Sequence, residues 1–318
     1  MPQTPTQRTT LATWPTPMEP APRLAEAIGL RPENLWLKRD DLTGLAVGGN
    51  KIRKLEWTVG AAVADGADTL ITTGAPQSNH ARLTAAAGAR VGLDVVLVFP
   101  GARSAPAGNL LLDDLLGADV VWAGDRSLDA VAAETADSCR TRGRRPSIIP
   151  FGGSNAVGAH GYRIAAQEIV DDLPDVDHVV CALGSGGTMA GLVAGLGADR
   201  VLGVHTGAVD DPRAQVAGLL ADMGEAIDPA ALRIRSDQVG EGYEVLTPEA
   251  GCALVMAARS EALVLDPTYT ARALAGLVAA VRDGSIGPGA EVVFLVSGGL
   301  PSLFAHPGVP EVANGVDG

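Results

Sequence analysis

Short apolar runs alternate along the chain with longer stretches whose apolar positions recur at helical spacing. The runs at 34–38, 69–73, 95–99, 119–122 and 147–150 predict strands, and so do those at 178–183, 201–205, 233–239 and 291–296. They are rich in Val, Ile and Leu without polar alternation, so they predict strands buried on both faces. Ala-rich segments with helical spacing sit between them, at 78–91, 127–142, 160–173, 187–196 and 268–282. Strand followed by helix, repeated this often, predicts a parallel α/β architecture. There is no internal repeat and no low-complexity linker. The Gly-rich stretch FGGSNAVG (151–158) is the best internal boundary, because a fresh series starts with the helix at His160. Two α/β lobes meeting at a cleft is the resulting expectation, with ligands at the C-terminal ends of strands. The first ten residues and the tail from about His306 are polar or Gly/Pro-rich and are expected to be loosely held.

At 318 residues, 47% hydrophobic and 19% charged, the chain can bury a large core, and disorder or a coiled coil is excluded. The formal charge of −13 argues against nonspecific nucleic-acid or anionic-membrane binding, since both need basic patches. The N-terminus lacks the apolar stretch of a signal peptide, and no apolar run reaches the ~18 residues of a membrane span. Cys139, Cys181 and Cys252 are few, odd in number and widely spaced, which fits a reducing cytoplasm. No CxxC pair is present, so no metal site is expected.

One detail of the charge count points to chemistry. Of 24 basic residues only Lys38, Lys51 and Lys54 are lysine, all within 17 consecutive positions, and the other 21 are arginine. Codon bias explains such a ratio; so does the retention of lysine where an amine is required. Lys51 follows the paired glycines of Gly48-Gly49-Asn50-Lys51 and opens a helix. A cation beside the positive end of the helix dipole is disfavoured, which lowers an amine's pKa and suits a Schiff-base nucleophile. Arginine cannot take that role, because its guanidinium stays protonated. The alternative is a solvated lysine at a helix start.

Three further loops follow apolar strands. Gly74-Ala75-Pro76-Gln77-Ser78-Asn79-His80 ends in an N-cap candidate, Ser78, with Asn79 and His80 at the same strand end. Gly184-Ser185-Gly186-Gly187-Thr188 leads into an Ala/Gly-rich helix; it reads as a phosphate cradle or as a tight structural turn. Ser297-Gly298-Gly299 is the same device again. An amine, a phosphate cradle and strand-end hydroxyls together suggest an aldehyde-bearing phosphate cofactor, and pyridoxal 5'-phosphate meets that description.

The chain resembles the fold-type-II pyridoxal-phosphate enzymes, specifically the D-cysteine desulfhydrase and 1-aminocyclopropane-1-carboxylate deaminase group. The resemblance runs from about Trp14 to Phe304. It is carried by LWLKRDDLTGLAVGGNKIRKLEW (35–57), GAPQSNHAR (74–82), GSGGTMAGL (184–192), LDPTYTARALAGL (265–277) and SGGLPSLF (297–304). Related serine and threonine dehydratases usually place their lysine after a Ser-Phe pair, whereas Asn50 precedes it here. The resemblance implies a tryptophan-synthase-β-like pair of open twisted parallel-sheet domains with the cofactor in the cleft. Residues 1–53 and 160–318 would form the large domain and 54–159 the small one. It implies that Lys51 bonds the cofactor aldehyde and shuttles the substrate proton. Asn79 would hydrogen-bond the ring hydroxyl, while Gly184, Ser185, Gly186, Gly187 and Thr188, assisted by Lys54, would hold the phosphate. Asn50 would complete the cofactor-binding set, Ser78 would orient the substrate carboxylate or assist catalysis, and Tyr243 and Tyr269 would be the two active-site tyrosines. Lys38 has no role.

Deaminases of this type carry glutamate after the second tyrosine and leucine before the C-terminal glycine pair. This chain has Thr270 and Ser297 there, expected near the pyridine nitrogen. A hydroxyl does not force that nitrogen to stay protonated as a carboxylate would, leaving a milder electron sink suited to β-elimination. Val296, where histidine is common, and the Glu-Gly-Tyr-Glu-Val segment around Tyr243 are departures expected to line the substrate side. The expected activity is α,β-elimination from a small amino acid, D-cysteine desulfhydrase-like, by a cytoplasmic homodimer. Ring-opening deamination and a cysteate-type lyase are the alternatives, and a noncatalytic amino-acid or pyridoxal-phosphate binder is the alternative of another class.

Overall fold

The computed structural model describes residues 7–314. Ten strands form two sheets: β1 (Met18–Pro20), β2 (Leu35–Lys38), β3 (Thr69–Thr73), β4 (Asp94–Phe99), β5 (Asp119–Trp122), β6 (Pro146–Ile148), β7 (His178–Leu183), β8 (Val201–His205), β9 (Arg233–Arg235) and β10 (Val292–Leu295). The larger sheet has the order β1-β2-β10-β7-β8-β9 and the smaller one β5-β4-β3-β6. Every pairing is parallel except β1 with β2. The three-residue β1 carries no apolar run of its own and was not expected from the sequence.

Burial of the strands on both faces follows the two-residue repeat. On β7, Val180 and Ala182 enter one core while Val179, Cys181 and Leu183 enter another; on β10, Val292 and Phe294 take the first and Val293 and Leu295 the second. In the smaller sheet Val95, Leu97 and Phe99 of β4 face one core, and Val96 and Val98 face the other. The 233–239 run stops as a strand at Arg235, whose guanidinium turns to Asp237 and Asp283.

The sheet order positions the functional loops. Strand β10 lies between β2 and β7 and runs parallel to both, so the loops after all three leave the same end side by side. The Lys51–Ala64 helix packs on both the Asn79–Val91 and Ala156–Asp172 helices, which brings the end of β3 to the same place. A largely buried ion cluster holds that helix. Arg53 Nε meets Asp40 Oδ2 at 2.8 Å, its Nη2 meets Glu168 at 2.7 Å, and Tyr162 donates to Asp40 at 2.5 Å. Lys38 belongs to this cluster, donating to the Thr16 carbonyl at 2.8 Å and pairing with Glu168 at 3.1 Å.

Residues 151–158, read as the internal boundary, are ordered: Phe151–Gly153 form a 3-10 turn, and Asn155 caps the following helix by accepting from Gly158 at 2.8 Å. One expectation changes. The terminal segments are held where they are described. Thr9 N–H donates to Glu56 O at 2.9 Å, the Glu56 carboxylate accepts from Leu11 N–H and Trp14 Nε1, and a Val309–Asn314 helix packs on the Pro248–Glu261 helix. The outermost parts of that expectation, residues 1–6 and 315–318, lie outside the described residues. No helix among the described residues is long and apolar enough to cross a membrane.

Candidate active site

All four strand-end loops contribute to one cavity. Lys51, the first residue of its helix, donates from Nζ to Asn50 Oδ1 at 2.9 Å, and its ammonium lies 5.5 Å from the Tyr269 ring centre. Asn50 in turn donates to Thr188 Oγ1 at 3.1 Å, linking the lysine loop to the glycine loop. Gly48 has φ +72°, and a methyl group there would fall 2.1 Å from the Asp41 carbonyl oxygen, so only glycine makes this turn. Burial pushes the Lys51 amine down to about 8, with Asp266 opposing and Arg82 adding to the shift. Loss of water is thus the main cause of the lowered value, where the sequence pointed to the helix dipole. Aldehyde capture by the cofactor-free protein is therefore expected to rise with pH around a midpoint near 8. Stopped-flow absorbance with a simple aromatic aldehyde measures it, and a midpoint near the ordinary lysine value would contradict the enclosed amine.

Ser78 satisfies both readings. Its Oγ caps the Asn79–Val91 helix by accepting from Ala81 N–H at 3.2 Å, and it lines the cavity next to Asn79 and His80. The His80 tautomer follows from its partner. Thr72 Oγ1 donates its only hydrogen to the Ile149 carbonyl at 2.9 Å, so His80 Nε2, 2.9 Å from the same oxygen, must be the donor there. Burial, followed by Lys54 and Lys51, holds this imidazole well below its ordinary value, and Nδ1 is a buried acceptor without a protein partner.

At the far end Ser154 is a hub that the sequence did not reveal. Its Oγ accepts from Lys54 Nζ at 3.0 Å and from Gly187 N–H at 3.2 Å, and it meets Ser185 Oγ at 2.7 Å. Gly186, with φ +87°, opens the Gly187–Leu196 helix, whose first-turn amides have no intrahelical acceptor. Burial, reinforced by Lys51, pushes the Lys54 amine well below its ordinary value. Among the described residues neither Lys51 nor Lys54 forms a salt bridge. Two enclosed amines, a helix N-terminus and three clustered hydroxyl and amide groups fit a phosphate-bearing aldehyde on charge and on donor chemistry.

Ser297 lines the cavity beside Lys51, and its carbonyl accepts from Asn50 N–H at 2.9 Å. Thr270 is not brought to the cavity wall. It is fully buried, and its hydroxyl donates to Asp266 Oδ1 at 2.6 Å. Asp266 is the carboxylate that sequence reasoning passed over, although it stands inside the LDPTYT motif. It accepts from the amides of Thr268, Tyr269 and Thr270, a local capping pattern legible from the Asp-x-x-x-Thr spacing. Burial pushes its carboxyl up, and those hydrogen bonds oppose the shift. Val296 also departs from expectation: at 1% exposure it faces the core and not the substrate side.

Tyr243 and Tyr269 do come together, with hydroxyls in contact and rings at 74°, 5.9 Å apart. Burial pushes Tyr243 up to about 12 and Tyr269 well above its ordinary value, so both keep their protons at neutral pH. Tyr269 lies on the wall shared with an outer cavity of about 350 Å³, lined also by Tyr243, Gln77, Ser104, Glu244 and His306.

Comparison with known proteins agrees with this geometry. The model of the family described as "Pyridoxal-phosphate dependent enzyme" matches residues 9–298. A protein from Pyrococcus abyssi, provisionally named a 1-aminocyclopropane-1-carboxylate deaminase, is 38% identical, with 94% of this chain and 93% of that one covered. A D-cysteine desulfhydrase from Klebsiella pneumoniae is also 38% identical, with 92% and 94% covered. Among solved structures, an ACC deaminase homologue superposes with a TM-score of 0.88 at 33% identity, covering 96% of this chain and 95% of that one. Threonine deaminase isoform 2 of Solanum lycopersicum shares the fold, with a TM-score of 0.65 at 19% identity and 94% and 83% covered. With the family model matching residues 9–298, relatives at 38% identity along both chains and this two-sheet α/β fold, the chain belongs to the pyridoxal-phosphate dependent enzymes of fold type II.

Proposed function

We propose that this enzyme eliminates the β-substituent of a small amino acid, D-cysteine above all, to give pyruvate, ammonia and sulfide. The observation that carries the reading is the absence of any carboxylate from the cavity wall among the described residues. Ser297 supplies a hydroxyl there. Asp266 stands behind Gly299, where a methyl group would fall 2.8 Å from its Cγ, and its oxygens are occupied by helix amides. A wall without a carboxylate suits departure of a good leaving group, which needs a milder electron sink than opening a strained ring.

Pyridoxal 5'-phosphate, when bound, delocalises the negative charge that develops at the substrate α-carbon. Lys51 would hold its aldehyde, the residues Gly184–Thr188 with Lys54 and Ser154 would hold its phosphate, and Asn79 would hydrogen-bond its ring oxygen. Asn50 keeps the Lys51 amine aimed at the cavity. The Lys51 amine would remove the α-proton of the bound substrate; its lowered pKa leaves an appreciable free-base fraction near pH 7 to 8. Ser78 Oγ orients the substrate carboxylate. One tyrosine hydroxyl donates to the other, which leaves one O–H to donate to the departing group.

The division of the chain into 1–53 with 160–318 and 54–159 is part of the proposal. It is supported by the strands of the larger sheet, which come from 18–38 and 178–295, while those of the smaller sheet come from 69–148. Cytoplasmic residence is supported by three free cysteines, and the homodimer rests on the family resemblance. A panel of D- and L-cysteine, cysteate, β-chloroalanine and 1-aminocyclopropane-1-carboxylate, scored for pyruvate or 2-oxobutyrate, tests the activity. Pyruvate from a cysteine enantiomer is expected; 2-oxobutyrate from the cyclopropane as the dominant product would favour the ring-opening activity named for the relatives and overturn elimination.

A further inference from the structure

Asn79 is useful to a ring oxygen only if its amide presents the correct end, and nothing inside the cavity sets that orientation. The constraint comes from behind. Arg82 is fully buried, and its guanidinium carries only donors. Its Nε points at the Asn109 side chain at 3.0 Å, so Asn109 must turn its oxygen to Arg82. The Asn109 Nδ2 then faces the other way, where it donates to the Gln77 carbonyl and to Asn79, both at 2.8 Å. The Gln77 carbonyl accepts only, which fixes the same orientation a second time. Asn79 must therefore meet Asn109 with Oδ1, an atom that Arg82 Nη2 also approaches at 3.5 Å. Its Nδ2 is left for the opposite side, toward Gly299 and the cavity.

The origin of the relay is equally fixed. Arg82 Nη1 donates to the carbonyls of Ala46 and Gly48, in the loop that leads to Lys51. Asn109 is 0% exposed and has both amide hydrogens and its oxygen engaged, while its backbone N–H donates to Gln77 Oε1 at 3.0 Å. An amide with every group committed to partners of one polarity has no second orientation of similar energy.

We infer that Asn109 is a positioning residue: with Arg82 it holds the Asn79 amide so that Asn79 offers the cofactor a hydrogen-bond donor and never an acceptor. Asn109 touches neither cofactor nor substrate and acts through Asn79 alone. A donor at this point stabilises the ring oxygen in its ionised form, whereas a carbonyl there would oppose it. The inference rests on the proposed placement of Asn79 at the cofactor ring.

Asn109→Asp tests it with little change of shape. The new carboxylate keeps Arg82 as a partner but has no hydrogen for Asn79, so the Asn79 amide turns over and points its oxygen into the cavity. Cofactor affinity of the apoprotein, titrated by the visible absorbance of added pyridoxal 5'-phosphate, is expected to fall about 10- to 100-fold, the size of one hydrogen bond to a charged group. Asn79→Ala is expected to lose a similar factor. In the Asn79→Ala background Asn109→Asp should cost less than about twofold more, because its only route of action has gone. Wild-type affinity in Asn109→Asp, or losses that simply multiply in the double variant, would overturn the inference. Wild-type affinity in Asn79→Ala would instead overturn the placement of Asn79 on which it rests. Circular dichroism and urea unfolding of each variant separate lost positioning from lost fold.

Discussion

Lys51→Ala is expected to abolish turnover, lowering kcat at least about 10⁴-fold, while leaving a protein at least as stable as the wild type. The two halves of that result come from one observation. The amine is enclosed and its burial pushes it down to about 8, so the folded protein holds it at an energetic cost. Among the described residues its hydrogen bond runs to the neighbouring Asn50, and no carboxylate pairs with it. Removing it strips the nucleophile for the cofactor aldehyde and the base for the α-proton, and relieves a desolvated cation. Steady-state pyruvate release and urea unfolding measure the two halves. Loss of activity accompanied by a large loss of stability would mean that Lys51 is a structural cation and not the reactive amine.

Asp40→Ala is expected to behave in the opposite way, costing about 3–5 kcal/mol of stability, because it leaves Arg53 buried with half of its partners gone. Asp40 Oδ1 accepts from Thr16 and Arg53 Nη2, both at 2.9 Å, and Oδ2 accepts from Arg53 Nε and Tyr162. Burial works against its charge, but Arg53 and the Tyr162 and Thr16 hydroxyls outweigh it and hold the carboxyl below its ordinary value. The sign of the pH dependence follows. A carboxyl with a lowered folded pKa contributes its full stability above the unfolded value near 4, and loses it as pH falls through the folded one. The stability difference between wild type and Asp40→Asn is therefore expected to be largest at neutral pH and to shrink below about pH 4, as read by urea unfolding across that range. A difference that grows on acidification would contradict the ion cluster.

Much of this site was legible in the sequence because its loops are local objects. A run such as 178–183 followed by Gly184-Ser185-Gly186-Gly187-Thr188 carries strand, turn and helix start in adjacent residues, and it appears in the fold within a residue of that reading. The shortage of lysine separated the same way: Lys51 and Lys54 line the cavity, while Lys38 is held by Glu168 and Thr16. Residues that work through distant partners left no such mark. Ser154 becomes a hub because it meets Lys54, 100 positions earlier, and Asn109 matters through Asn79, 30 positions away. Thr270 was misplaced for the reverse reason. Its motif position suggested the cofactor, but a hydroxyl four residues after a buried aspartate in a helix first turn bonds that aspartate.

The most direct test of the central claim uses the chain's own scarcity of lysine. Holoenzyme reduced with borohydride, digested and mapped by mass spectrometry should carry the pyridoxyl group on Lys51 alone. Labelling of Lys54 or Lys38, or no covalent label at all, would contradict the assignment of Lys51 as the residue that bonds the cofactor.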